Sequence, residues 1–202
     1  MSTTNRARRE VRPTDQLPEG ATSPDAKPRV TFAARRRGKA PRHLADFDQK
    51  ERKEFVSEAG LPSFRADQLS RHYFERHISD PAFMTDMPKS AHDLIASTLL
   101  PSLVREVAVL EADGGETLKH LWELYDGARV ESVLMRYTDR TTLCISSQAG
   151  CGMGCPFCAT GQMGLTRNLS TAEIIDQVRA AHQACEEGLV GGSPTHLSNV
   201  VF

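Results

Sequence analysis

The most restrictive stretch of the sequence lies between residues 141 and 202, where a strand pattern, a polar loop, a capped helix and a second strand pattern follow one another. Residues 141–146 (Thr-Thr-Leu-Cys-Ile-Ser) carry the β-branched and apolar side chains that suit a pleated, half-buried strand. A loop rich in glycine and cysteine comes next. Ser170, Thr171, Ala172 and Glu173 then form a capping box, in which each end residue supplies the hydrogen-bond partner the other lacks. Behind it, Ile174, Ile175, Val178, Ala181 and Cys185 recur at helical spacing and predict one apolar face. Gly188 stands where a helix is expected to end in a left-handed residue. A new apolar run occupies residues 197–202. Strand, helix, strand is one βαβ unit, whose two strands lie parallel.

Upstream the pattern is different. Residues 44–100 read as a small helical domain with its own core. Phe47, Phe55 and Val56 precede a break at Gly60-Leu61-Pro62, and Ser63 is the expected N-cap of a helix through Phe64, Leu69, Tyr73 and Phe74. Asp80-Pro81 predicts another helix start, with proline at the first helical position. A third helix is expected from Ser90 through Leu94, Ile95 and Leu99. After Pro101 the period becomes alternating, and Leu118, Leu121, Trp122 and Leu124 suggest a strand. Asp126-Gly127 is a strong turn signal between this strand and one over residues 129–137. Residues 101–140 are therefore expected to be a β-hairpin connector.

Charge is unevenly spread. Residues 1–43 hold eleven Lys/Arg against four Asp/Glu, although the whole chain has a net charge of −1. This end has few large apolar groups, so it cannot offset the entropy of ordering and is expected to be a disordered basic tail. Such a tail suits phosphate neutralisation on nucleic acid, or is merely solvated. No run of eighteen apolar residues and no secretory h-region is present, which points to a cytoplasmic protein without a membrane partner. In that reducing compartment five cysteines favour metal binding or catalysis over structural disulfides.

The loop reads Cys151-Gly152-Met153-Gly154-Cys155-Pro156-Phe157-Cys158. Three thiolates at CxxxCxxC spacing can ligate three irons of a cubane 4Fe-4S cluster and leave the fourth open to a chelating substrate. The glycines let the loop wrap with backbone N–H groups aimed at the sulfurs. Phe157 can shield the cluster or stack on a cofactor. The rival reading is zinc, with Cys144 as fourth ligand, but Cys144 belongs to a strand pattern and the spacing is not paired CxxC. Cys185 shares the apolar helix face and reads as a small buried hydrophobe.

CxxxCxxC with an aromatic before its last cysteine, set between a strand and a capped helix, resembles the signature of the radical S-adenosylmethionine (SAM) superfamily. Within it, Thr142-Leu143-Cys144-Ile145-Ser146-Ser147-Gln148-Ala149-Gly150-Cys151 resembles the methyltransferases that act on carbon-2 of adenosine in 23S rRNA and tRNA. Gly164-Leu165-Thr166-Arg167-Asn168-Leu169 does so too, and Phe64-Arg65-Ala66 with Gln68 resembles that family's amino-terminal accessory domain. The resemblance covers about residues 44–202. It implies an α/β fold: the helical domain followed by the beginning of a partial (βα) radical SAM barrel, ending at the second barrel strand. It implies Cys151, Cys155 and Cys158 as cluster ligands, and SAM as the second cofactor. Cys144 matches a cysteine that releases a covalent protein–RNA intermediate through a transient disulfide, and Glu131 matches the proton-accepting carboxylate. The chemistry implied begins with methylation of a cysteine near the family's carboxyl terminus. A radical made from a second SAM then takes hydrogen from that methyl group, and the resulting carbon radical adds to the adenine ring.

The resemblance also implies 23S rRNA and tRNA as partners, with an electron-donor protein of unstated identity; a monomer is assumed. The family's SAM-binding glycine–glutamate–proline motif and its methyl-carrying cysteine lie beyond Phe202, so the chain by itself is expected to be inactive. Alternatives are a carbon-8 adenosine methyltransferase, another radical SAM enzyme, and an inactive RNA-binding product. Arg167 and Asn168 are expected to brace the cysteine loop rather than bind RNA. Met153 and Met163 are expected to fill gaps, and His120 and His182 to lie at the surface.

Overall fold

The computed structural model describes residues 40–202. The basic segment up to residue 39, and with it most of the expected tail, lies outside the described residues. The fold is a mixed α/β arrangement, a helical layer joined to a five-stranded sheet.

The helical layer starts with the turn Leu44–Asp46, where the buried His43 accepts from Ala45 N through Nδ1 at 3.0 Å. Helix α1, Gln49–Glu58, is set by a capping box of Asp48 and Glu51. Helix α2, Arg65–Ser70, continues as a wide turn over Arg71–Glu75. Ser63 does not cap it: Phe64 holds that position without a side-chain bond, and Ser63 offers only its carbonyl, to Ala66 N at 3.1 Å. Asp80 does cap, accepting from Ala82 N at 2.8 Å, but the element is the single turn Pro81–Phe83. Helix α3, His92–Leu94, runs into a wide turn at Ile95–Leu99. Leu44, Phe55, Val56, Leu69, Tyr73, Met84, Ile95 and Leu99 form the buried core of this layer. Each such side chain contributes roughly 1.5–3 kcal/mol of transfer free energy.

Strands β1 (Val104–Ala112), β2 (Thr117–Leu124), β3 (Arg129–Arg136) and β4 (Thr141–Cys144) form an antiparallel meander. The expected hairpin is β2 and β3; β1 adds an edge strand with a bulge between Glu106 and Ala108. Leu118, His120, Trp122 and Leu124 alternate inward along β2. His120 is therefore buried, against expectation. It stacks on Trp122 at 5.2 Å and bonds Glu106 at 2.9 Å, while Trp122 Nε1 donates to Ser132 Oγ at 2.8 Å. His182 is only partly exposed and stacks on His77 with centroids 4.2 Å apart.

Two short strands, β5 (Gln148–Gly150) and β6 (Leu165–Asn168), make a separate antiparallel hairpin, with the small helix α4, Ala159–Gln162, between them. Helix α5, Thr171–Glu186, follows with both halves of the expected capping box formed. It ends at Gly188, φ +71°, where Gly188 N bonds Cys185 O and Leu189 N bonds Ala184 O. Strand β7, Asn199–Val201, then pairs parallel with β4, completing the βαβ unit.

Helix α5 is shared. Ala181, Ala184 and Cys185, with Ile174 and Val178, pack on Leu118, Leu134, Leu143 and Ile145 of the sheet side. Ala172 and Ile175 join the core of the helical layer instead, so the expected single apolar face is divided between two neighbours. Polar contacts reinforce the second junction: Tyr73 Oη donates to Asp176 Oδ1 at 2.8 Å, and Ala172 N donates to Asp46 Oδ1 at 2.9 Å. Among the described residues no helix is long and apolar enough to cross a membrane.

Candidate functional site

Sheet register decides which side chains share a face. Val133 pairs with Cys144, and Leu121 with Glu131. Residues two apart on one strand point the same way, so Glu131, Val133 and Cys144 lie on one face, with Lys119, Leu121 and Val201 beside them. The opposite face, carrying Leu134 and Leu143, is buried under α5. The Glu131 face is open: Glu131 is exposed and Cys144 partly so. Lys119 Nζ stands 2.9 Å from Glu131 Oε1. Both partners are about half exposed, so this ion pair orients more than it stabilises.

The backbone on either side of this face is held from beneath. Ser146 Oγ donates to Glu131 O at 2.7 Å. Gln177, 0% exposed on α5, accepts from Ser146 N at 3.1 Å and donates to Ser146 O at 2.9 Å. One buried amide thus satisfies both backbone groups of the residue two positions beyond Cys144. Sequence reasoning missed Gln177; a lone glutamine among the apolar positions of a helix face was the available signal.

The cysteine loop begins where β5 ends. Cys151, Cys155 and Cys158 are free and partly exposed. Cys151 N donates to Gly164 O at 3.1 Å, and Cys158 N to Cys155 O at 3.2 Å. Two glycines fix the loop's shape. A Cβ on Gly150, φ +78°, would stand 2.1 Å from Gly164 O, and one on Gly161 would stand 3.0 Å from Cys155 N. Among the described residues no three His, Cys, Asp or Glu side chains converge as a ready-made metal group. The donor set nonetheless suits a cluster with one open iron: three accessible thiols on one glycine-hinged loop. Phe157, 89% exposed, and Met153, 80% exposed, project from the same loop, so Met153 fills no gap, and Met163 is likewise exposed.

Arg167 on β6 closes the loop from the other side. Its Nε and Nη2 donate to Asp126 at 2.8 and 3.2 Å, its Nη1 and Nη2 to Glu173 at 2.7 Å each, and its Nη1 also to Asn168 O at 3.1 Å. The Glu173 and Asp126 side chains are 0% and 2% exposed. Hydrogen bonding to Glu173, the largest influence, raises the guanidinium further above its ordinary value, so it stays charged. Burial pushes the Asp126 carboxyl up, but the bond from Arg167 and the one from Ala128 N outweigh it and leave the carboxyl below its ordinary value. Asn168 accepts from Gln148 Nε2 at 2.9 Å across the hairpin. Both residues are bonded to other parts of the chain. Cys185 stands apart, fully buried, with burial raising its thiol pKa.

Comparison with known proteins points in one direction. Residues 42–99 match the family model described as the ribosomal RNA large subunit methyltransferase N-terminal domain. The chain is 60% identical over 173 residues to a protein of Rhodococcus erythropolis named probable dual-specificity RNA methyltransferase RlmN, an alignment covering 86% of this chain and 47% of that protein. A protein of the same name from Thermobifida fusca is 56% identical over 173 residues, with the same coverage. The chain thus spans about half the length of the curated relatives it matches. Among solved structures, a radical SAM methyltransferase from Sphaerobacter thermophilus superposes with a TM-score of 0.72 at 39% identity, over 79% of this chain and 46% of that one.

Proposed function

The chain belongs to the RlmN family of radical SAM RNA methyltransferases, and on that premise we propose that it supplies the cluster loop and the acid–base face of an enzyme that methylates carbon-2 of adenosine in 23S rRNA and tRNA. Cys151, Cys155 and Cys158 hold the 4Fe-4S cluster, and Phe157 covers it or stacks on SAM. When bound, the open-iron cluster supplies reductive cleavage of SAM, the radical chemistry that an electron-poor ring carbon requires. An electron-donor protein supplies the reducing equivalent, and the sheet is the opening of the family's (βα) barrel.

The observation that supports this reading is the shared open face. Glu131 and Cys144 lie on adjacent strands, two register positions apart and so on the same face, on the side away from α5. Glu131 is placed to take the ring proton as a general base. Cys144, a free and partly exposed thiol, is placed to attack the sulfur that links the protein to the RNA: the S–S bond forms as the S–C bond breaks, and the electron pair leaves with the carbon, which stays on the RNA as its methyl group. The accessory helical layer and the basic segment before it contribute RNA contacts. Methylation at C2 is consistent with the name its relatives carry.

Anaerobic reconstitution tests the cluster. The chain should take up about four irons and four sulfides. Alanine at Cys151, Cys155 or Cys158 should abolish uptake, whereas Cys144→Ala should leave it intact. Stoichiometric zinc in place of iron, or loss of metal in Cys144→Ala, overturns the ligand assignment. For the chemistry, the chain is fused to the remaining half of the Rhodococcus relative. Glu131→Gln in that chimaera should cleave SAM yet accumulate a protein–RNA adduct, read by mass spectrometry. Normal 2-methyladenosine yield from the Gln variant would refute the base.

A further inference from the structure

The hairpin that carries the cysteine loop is too small to hold itself. Strand β5 has three residues and β6 four, and their register slips between Ala149 and Gly150. A two-stranded ribbon of this length is marginal in water. Yet it brackets all three cysteines: Gly150 precedes Cys151, and Gly164 and Leu165 follow α4.

Arg167 sits on β6 opposite Ala149, one pair from the start of the loop. A guanidinium has five N–H donors. Here all five are used: one from Nε and one from Nη2 to Asp126, one from Nη1 and one from Nη2 to Glu173, and one from Nη1 to Asn168 O. The acceptors belong to three different pieces of chain. Asp126 is in the β2–β3 turn, Glu173 is in the first turn of α5, and Asn168 is on β6 itself. Glu173 also accepts from Ser170 N at 2.8 Å, so the carboxylate that closes the capping box is the one that grips Arg167. Tyr125 lies under the guanidinium, 5.0 Å from it.

We propose that Arg167 is a positioning residue for the cysteine loop: its saturated fork transfers the rigidity of α5 and the β2–β3 turn to a hairpin that lacks its own, and so sets how Cys151, Cys155 and Cys158 are presented. This rests on the reading of those cysteines as cluster ligands. Lysine keeps the charge but has three donors on a flexible stem and cannot span two carboxylates and a carbonyl. Asp126→Asn removes the charge and one of the two acceptor oxygens of that arm, and leaves the Arg167–Glu173 fork.

The test has an arm without iron and an arm with it. In the apo chain, amide exchange at Ala149, Gly150 and Arg167, and alkylation of the three loop thiols, should speed up by about tenfold or more in Arg167→Lys, and by less in Asp126→Asn. Amides in the middle of α5 should keep their protection in Asp126→Asn. In the reconstituted chain, Arg167→Lys should bind less than half the iron of the wild type, and its reduced cluster should give a broadened, heterogeneous EPR spectrum. If Arg167→Lys fails to fold, Asp126→Asn decides alone. Unchanged exchange, thiol reactivity and EPR line shape in folded variants overturn the proposal. A wild-type chain that takes up no iron sinks the cluster reading, and the exchange arm still decides the brace.

Discussion

Single side chains in this molecule differ sharply in what their loss removes. Gln177 touches both backbone groups of Ser146 and is wholly enclosed. Replacing it with leucine leaves the part-buried N–H and carbonyl of Ser146 unmatched, at a cost of about 1–3 kcal/mol for each group that water does not reach. Ser146→Ala removes only the bond to Glu131 O, at a partly exposed position, and should cost about 1 kcal/mol. Urea midpoints at unchanged m-value check both, and equal losses would contradict the central place given to Gln177. His120 shows how this scale was partly legible. It shares parity with Leu118, Trp122 and Leu124, so the alternation that identified β2 also placed it inside. Histidine's polarity hid that, because its partner Glu106 sits on a strand whose exposed residues carry no inward pattern.

At the scale of elements, the βαβ unit was readable because its signals are local. The Ser170–Glu173 box, the helical spacing behind it and Gly188 each act within a few residues. The β5–β6 hairpin was not readable. Its seven residues, Gln-Ala-Gly and Leu-Thr-Arg-Asn, are too few and too mixed to show an alternation, and its tie to Asp126 lies 41 residues before Arg167. The candidate face falls between these cases. Cysteine spacing was local information, but the closeness of Glu131 and Cys144 depends on a register that only pairing supplies. Glycine variants test the hairpin as a unit. Gly150→Ala puts a Cβ against Gly164 O at a left-handed φ and should unzip β5 from β6. Gly154→Ala, also left-handed but in open space, should cost about 1 kcal/mol and spare the ladder. Hydrogen exchange at Ala149 and Arg167 separates the two; equal protection in both variants would contradict the close approach.

For the whole molecule, the junction between helical layer and sheet is built on α5 and has a pH signature. Burial lowers the pKa of His43 below its ordinary value of 6.5, partly offset by Asp176 and Asp46. Burial, then the neighbouring His77, lowers that of His182. Both bind a proton less readily in the fold than in the unfolded chain, so the unfolded chain binds more protons once the pH drops to about 6.5. Their contribution is therefore present above that value and is lost as the pH falls toward the folded pKa values. Denaturation midpoints should decline between pH 7.5 and 5.5. His43→Asn, which keeps an acceptor for Ala45 N, should flatten that decline while lowering stability overall through the lost contact with Tyr73. A slope identical to the wild type would remove His43 from the account.

The bond from Ala172 N to Asp46 spans 126 residues of chain. During synthesis at roughly 5–20 residues per second, the helical layer leaves the ribosome about ten seconds before its partner helix exists. Until then Leu44, Leu69 and Tyr73 lack the cover that Ala172 and Ile175 provide. The layer must either persist half-closed through that interval or be shielded by a chaperone. Pauses in translation between residues 100 and 170 therefore bear on how much protein reaches the folded state, even though they touch no residue of the candidate site.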